Sequence, residues 1–286
     1  MLQMTLLDGV RLEDGGRSLH LQLSLKEQAL LIYLAWTGKA QARTHLGELF
    51  WEGRTPRQAR SNLRTLLSRG RPLLEEYLAI TRDALAFKPD LEVFLDASEF
   101  LRQLKVADYL WRQQPSPSAA VGGRLVRALQ LYRDDFLSDF SLADNECFNE
   151  WVEVERDGLR SRAVHGWHRL VEFHTGRADY PAALQCCHSL LELDPFDEQA
   201  HSDLLRLYAY TGQLEAAHAH YQAYCERLHR ELALSPGDVL ARTYREIAGG
   251  NCRPPRAQPD PSPQPPAARP APPPLPRPAA PLVGRR

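Results

Sequence analysis

The sequence predicts a mostly α-helical chain that opens with a small mixed α and β unit, continues as an all-α region and ends in a proline-rich tail. Three observations carry this. Short apolar alternations, "MTLLD", "VRLED" and "LHLQLSL", are broken by Asp8-Gly9 and Gly15-Gly16, the pattern of a small antiparallel sheet. Apolar residues at helical spacing then take over and dominate residues 125–250. From about Arg253 the chain reads "RPPRAQPDPSPQPPAARPAPPPLPRPAAP", which forms neither helix nor sheet because proline lacks an N–H and fixes φ. The expected division is 1–95, 96–250 and 251–286, the last an extended, semi-rigid linker or tail.

The first unit resolves further. Ser24 with Glu27 matches a capping box ahead of "LKEQALLIYLAW", where Leu25, Ala29, Leu30, Ile32, Tyr33 and Leu34 fit a buried helix and Gly38 ends it. Thr44 is the expected cap of a short second helix, "HLGELFW". Pro56 suits the first turn of a third helix, which Pro72 stops near Arg69. "YLAITRD" and "ALAFKPD" follow as two short strands around Asp83. Sheet, three helices and hairpin is the order of a winged helix, in which the third helix enters the major groove and the hairpin forms the wing.

Charge supports that assignment. The chain has a formal net charge of −1, yet Lys39 to Arg71 holds eight Lys or Arg against two acids, and no acid lies between Glu52 and Glu75. A basic stripe in a neutral protein suits a polyanion. On a helical wheel Ala59, Leu63, Leu66, Leu67 and Gly70 form one apolar face. Opposite lie Arg57, Ser61, Arg64, Thr65 and Ser68, with Arg60, Asn62, Arg69 and Arg71 on the flanks. A surface helix built only for stability interleaves Glu with Arg; this one does not. Arg pairs with guanine, Asn with adenine, and Ser or Thr with bases or phosphates. Arg64 is the expected base reader, Arg57, Arg60 and Arg69 the phosphate contacts, and Arg82 or Lys88 the contribution of the wing.

"LSLKEQALLIYLAWTGKAQARTHLGELFW" followed by "QARSNLRTLLSRGRPLL" resembles the OmpR-type winged helix of the SARP class, the Streptomyces antibiotic regulatory proteins. Phe50-Trp51 and Ala59-Arg60-Ser61-Asn62-Leu63-Arg64 carry the match to the family's "ARxNLRxxLSRLR" third helix. Gly70 and Pro72 depart from it.

In the second unit Ala182-Ala183 and Ala216-Ala217 recur at the 34-residue period of tetratricopeptide repeats, each pair soon after a glycine, Gly176 or Gly212. "ALQLYRDDFLSDF", "WVEVERDGLR" and the stretch from Asp194 to Pro236 resemble the bacterial transcriptional activator domain, which regularly follows the SARP winged helix. "DASEFLRQL" is expected to join the two units, with Asp96 or Ser98 capping its helix and fixing the angle between them. Trp151, Trp167, Leu170, Leu190, Leu204 and Tyr208 are expected in the repeat interior. The terminal "LVGRR" is similar to the phrase that opens a nucleotide-binding module in larger relatives. The chain is therefore expected to be a truncation at Val283 or a short relative without that module.

Other chemistries are poorly supported. No Walker A, GxGxxG, HExxH or GxSxG sequence occurs, so no enzyme activity, catalytic residue or cofactor is expected. Cys147, Cys186, Cys187, Cys225 and Cys252 lack zinc-type spacing and read as ordinary thiols. His165 with His168 and His218 with His220 are close in sequence, but neither pair has a recognisable third ligand, and no metal is expected. Asp134-Asp135 and Glu153, Glu155 and Asp157 read as solvated positions. There is no run of eighteen apolar residues and no secretory signal, so a cytoplasmic, nucleoid-associated protein without membrane contact is expected.

The expected function is sequence-specific binding of double-stranded promoter DNA and activation of transcription. The repeat region would serve self-association or contact with RNA polymerase. The resemblance implies tandem protomers bound head to tail at direct repeats. The alternative is a helical-repeat scaffold or signalling adaptor whose basic N-terminal unit binds protein.

Overall fold

The computed structural model describes residues 1–113 and 117–255. Strands β1 (Leu2–Thr5), β2 (Arg11–Asp14) and β3 (Arg17–Ser18) form an antiparallel meander. "LHLQLSL" is not a strand. Gln22 and Leu23 both donate their N–H groups to the Leu19 carbonyl, and the Gln28 amide donates to the carbonyls of His20 and Leu23. This turn buries Leu19 and Leu23 and leaves Leu21 86% exposed. Alternating leucines are met equally well by a turn that returns at i+4.

Helix α1 (Leu25–Thr37) starts where expected: the Ser24 N–H and hydroxyl both donate to Glu27 Oε2, at 2.8 and 2.7 Å. It ends at Gly38, whose φ of 62° suits a residue without Cβ. Leu25 itself is exposed, because it occupies the first helical position, before the apolar stripe begins. Strand β4 (Gln41–Ala42) comes next and leads straight into α2 (Arg43–Phe50). Thr44 therefore lies inside α2 and does not cap it; Ala42 is held by strand pairing instead, and the Arg43 N–H donates to the Asp83 carbonyl.

Helix α3 (Pro56–Arg69) has the expected bounds. Past Gly70 a further helix, α4 (Arg71–Tyr77), starts with Pro72 in its first turn, so the proline that ends one helix also begins the next. Strands β5 (Leu78–Ile80) and β6 (Ala84–Phe87) make the hairpin, and β4 pairs with β6 to complete a three-stranded sheet. Strand β7 (Val93–Leu95) returns to lie parallel to β1.

Seven further helices build the rest of the described residues: α5 (Asp96–Arg112), α6 (Ala119–Leu129), α7 (Glu146–Gly176), α8 (Tyr180–Leu193), α9 (Glu198–Tyr210), α10 (Leu214–Leu232) and α11 (Asp238–Ala248). Asn145, Asp179 and Asp197 cap α7, α8 and α9 through their side chains. Ala183 and Ala217, the repeated small residues, are fully buried at helix packing points. Gly122 is required for another: a Cβ there would sit 2.4 Å from the Phe173 ring.

The winged unit and the helical region share one core that runs from Leu2 to Leu207, while a smaller cluster lies under α9, α10 and α11. Asp96 is central to the junction. It stands within the first turn of α5 and accepts the N–H groups of Ala97, Leu6 and Leu7 at 2.7–3.0 Å, tying the helix to the end of β1. Trp151 is not in the repeat interior. It packs edge-on against Tyr33 of α1 at 4.9 Å, and Phe148 stacks on Phe50 of α2 at 5.4 Å. The start of α7 is thus spent on the contact between the two units.

Candidate nucleic-acid interface

Helix α3 is held by its apolar side. Ala59, Leu63 and Leu67 are buried, and Ala59 meets α2 at Gly47, where a Cβ would lie 3.3 Å from the Ala59 Cβ. The close crossing of α2 and α3 therefore depends on two small residues. The Thr55 hydroxyl accepts the Gln58 N–H, and Gln58 Oε1 accepts the Thr55 N–H in return, so the helix start is closed without any acidic residue.

The opposite side is solvent-facing. Arg57, Arg60, Ser61, Arg64, Thr65, Ser68 and Arg69 are all exposed. Among the described residues no carboxylate pairs with Arg57, Arg60, Arg64 or Arg69. Arg60 Nε donates to the Pro56 carbonyl and Thr65 Oγ1 to the Ser61 carbonyl, which pins both side chains to their own helix with their outer atoms outward. Arg71 differs. It lies past the Gly70 break, and its Nε donates to Glu75 Oε1 at 2.8 Å. Asn62 is half-buried and turned to one flank.

That flank borders a cleft of about 890 Å³ between the start of α1, the end of α2, α3 and residues 143–144. Lys26, Arg54, Gln58, Asn62, Thr65 and Arg69 line it. Lys26 and Arg54 were missed by the sequence reading. Arg54 belongs to the basic stretch, but Lys26 lies 28 residues before Arg54, outside that stretch, and no local signal marks it. Lys26 Nζ donates to the Phe50 carbonyl and lies over the Trp51 ring. Burial pushes its ammonium below the ordinary lysine range, against the pull of Asp144.

The hairpin forms the second element of the surface. Thr81 closes its turn by exchanging hydrogen bonds with Ala84, which leaves Arg82 exposed at the tip. Lys88 is exposed just after β6, where its N–H donates to the Tyr77 carbonyl. The Tyr77 hydroxyl donates to Asp14 Oδ2, joining the end of α4 to β2; burial, with that carboxylate, pushes its pKa up to about 12.

The histidine pairs do not converge. His168 Nε2 bonds Asp197, His220 bonds His201, and His218 meets Tyr244 and Gln222. Among the described residues no three His, Cys, Asp or Glu side chains form a cluster suited to a metal ion, and no helix is long and apolar enough to cross a membrane.

The model of the bacterial transcriptional activator domain matches residues 95–248, more than half of the chain. The chain belongs to this family. A winged helix stands ahead of that domain, the domain order that the SARP resemblance implies. Among solved structures it is similar to Mycobacterium tuberculosis EmbR in complex with a low affinity phosphopeptide, at 20% identity and a TM-score of 0.65. The match covers 87% of this chain and 65% of the EmbR chain, and it shows a shared fold. No curated protein matches the chain.

Proposed function

We propose that this SARP-type regulator activates transcription by binding promoter DNA with α3 in the major groove and the β5–β6 hairpin against the backbone. One observation carries the reading: the outward face of α3 presents four arginines without a carboxylate partner among the described residues, beside exposed Ser61, Thr65 and Ser68. Arginine and small hydroxyl side chains are what base edges and phosphates accept.

In this reading Arg64, at the middle of the face, reads a base, while Arg57, Arg60 and Arg69 hold phosphates. Arg82 and Lys88 approach the backbone from the wing. Arg71 contributes only if it leaves Glu75. The helical region associates with a neighbouring protomer or with RNA polymerase, and protomers line up on direct repeats.

The test is the salt dependence of binding to promoter fragments and to random duplexes. Specific and non-specific complexes should both weaken steeply with salt, with a slope of about −0.9 for each phosphate neutralised. The promoter complex should stay tighter by a factor of roughly 10³ or more. Equal affinity for both DNAs, or no salt dependence, would overturn the reading.

A further inference from the structure

A cavity of about 580 Å³ opens in the helical region, far along the chain from the basic face. It lies between the second half of α7, α9, the end of α5 and two prolines, Pro117 and Pro255. Its volume is within the range of ligand-sized sites, roughly 300–1,000 Å³. Three aromatic side chains line it: Trp111, Phe173 and Tyr210.

Two features of this cavity concern proline. Pro117 is already held there, its carbonyl accepting a 2.9 Å hydrogen bond from Arg177 Nη1, and the same guanidinium lies over the Phe173 ring. Pro255 is the second, and it is the point where the described chain enters the cavity. The segment leading to it is anchored. The Asn251 N–H donates to the Glu246 carbonyl at 2.9 Å, and the Cys252 side chain packs against the smaller core cluster. The chain beyond Pro255 contains the run "RAQPDPSPQPPAARPAPPPLPRPAAP".

Proline-rich segments offer ring faces and carbonyl acceptors but few N–H donors. They bind where aromatic rings form a groove and donors meet the carbonyls, and they lose little entropy because their φ angles are already fixed. The cavity has both features: aromatic walls at Trp111, Phe173 and Tyr210, and a guanidinium, that of Arg177, which already donates to a proline carbonyl. We propose that it is a docking groove for this chain's own proline-rich segment, residues 256–281, which Pro255 delivers to its mouth.

A tethered segment competes with a free one. With an effective concentration near 1 mM for a short tether, and a Kd of about 100 μM for the free peptide, the tether raises the apparent Kd about tenfold. The experiment uses the full-length chain and a variant in which residues 256–281 are replaced by a Gly-Ser segment of equal length. A synthetic peptide of residues 256–281 is titrated into each by calorimetry. It should bind the Gly-Ser variant and bind the natural chain about tenfold more weakly. In the Gly-Ser background, Trp111→Ala should abolish binding with its thermal unfolding otherwise retained. Should Trp111→Ala fail to fold, hydrogen exchange on the Gly-Ser variant gives the location instead, with peptide-dependent protection expected at residues 171–177 and 203–210. No binding to the Gly-Ser variant, equal binding to both chains, or protection elsewhere would each overturn the proposal.

Discussion

The carboxylate of Glu52, in the turn between α2 and α3, accepts the N–H of Cys147 at 2.8 Å and that of Glu146 at 2.7 Å. A residue of the winged unit thus caps the longest helix of the helical region across 94 and 95 positions of sequence. The Cys147 thiol and the two N–H groups hold the Glu52 carboxyl below the usual range, and the carboxylate pushes the thiol up to about 11. A depressed carboxyl pKa stabilises the fold above the unfolded value, about 4.3, and the contribution is lost as pH falls through the folded value. Glu52→Ala should therefore lower the melting temperature at pH 7 and have much less effect near pH 3. Hydrogen exchange at residues 145–149 should speed up in the variant. An unchanged exchange rate there would show that the cap carries no stability.

Trp151 provides the apolar side of the same contact, against Tyr33, Phe148 and Phe136. Trp151→Ala should cost about 3 kcal/mol, at the low end for a large aromatic because the side chain is only partly buried. Because one core runs through both units, denaturant unfolding followed by fluorescence and by circular dichroism should give coincident transitions. Two separated transitions in the natural chain would mean that the units fold independently.

The legible and illegible parts of this fold divide by range. Ser24 with Glu27, and Pro56 in the first turn of α3, could be read because the signals of a helix start lie within three or four residues of one another. The wheel of α3 could be read because a strong apolar stripe leaves one face for solvent. Strands β4 and β7 could not, since two or three residues carry no periodicity and their partners lie 40 or more positions away. Trp151 was legible as a packed aromatic, but periodicity does not say which neighbour it packs on. Nothing near Glu52 in sequence announces Cys147, which lies 95 positions away.

A histidine pair, His201 buried and His220 half-buried, links pH to stability. His201 Nε2–H donates to the Pro195 carbonyl, which leaves Nδ1 to accept from His220 Nε2–H at 2.8 Å. Both rings are neutral in this arrangement. Burial, then the proximity of His201 and His188, pushes His220 down to about 4, and burial lowers His201 as well. The unfolded chain takes up protons near pH 6.5 whereas the folded pair resists, so stability should fall as pH drops from about 6.5 to 4. After allowance for solvent screening the loss should be on the order of 1–2 kcal/mol. Denaturant midpoints for the natural chain and His220→Gln, compared at pH 7 and pH 5, would measure it; an equal pH slope in both would count against the pair.

In the proposed mode of binding, base reading and phosphate holding on α3 are separable by mutation. Arg64→Ala should cost about 1–3 kcal/mol on the cognate site and relax one operator position. Arg57→Ala, Arg60→Ala or Arg69→Ala should weaken all complexes alike and reduce the salt slope by about one. Arg71→Ala should do little, because Glu75 already pairs with that guanidinium. Fluorescence anisotropy on cognate and scrambled duplexes distinguishes these outcomes. An unchanged cognate-to-scrambled ratio for Arg64→Ala would remove it from base reading.

The fixed junction between the units sets a condition on how protomers share DNA. A winged helix alone covers a small part of a duplex, and specific affinity generally needs more than one module. With Asp96 holding α5 to β1 and Glu52 holding α7 to the α2–α3 turn, the helical region is expected to project from each bound winged helix in one direction. Neighbours then meet only when they lie on the same face of the duplex, about one helical turn (roughly 10–11 base pairs) apart. Moving one half-site by about five base pairs rotates its protomer to the far side, where a rigid junction gives no reach. Cooperativity in quantitative footprinting should disappear at that spacing and return when the shift is extended to a full turn. Cooperativity that persists at the half-turn spacing would require a flexible tether or a dimer formed without DNA, and would sink the head-to-tail arrangement.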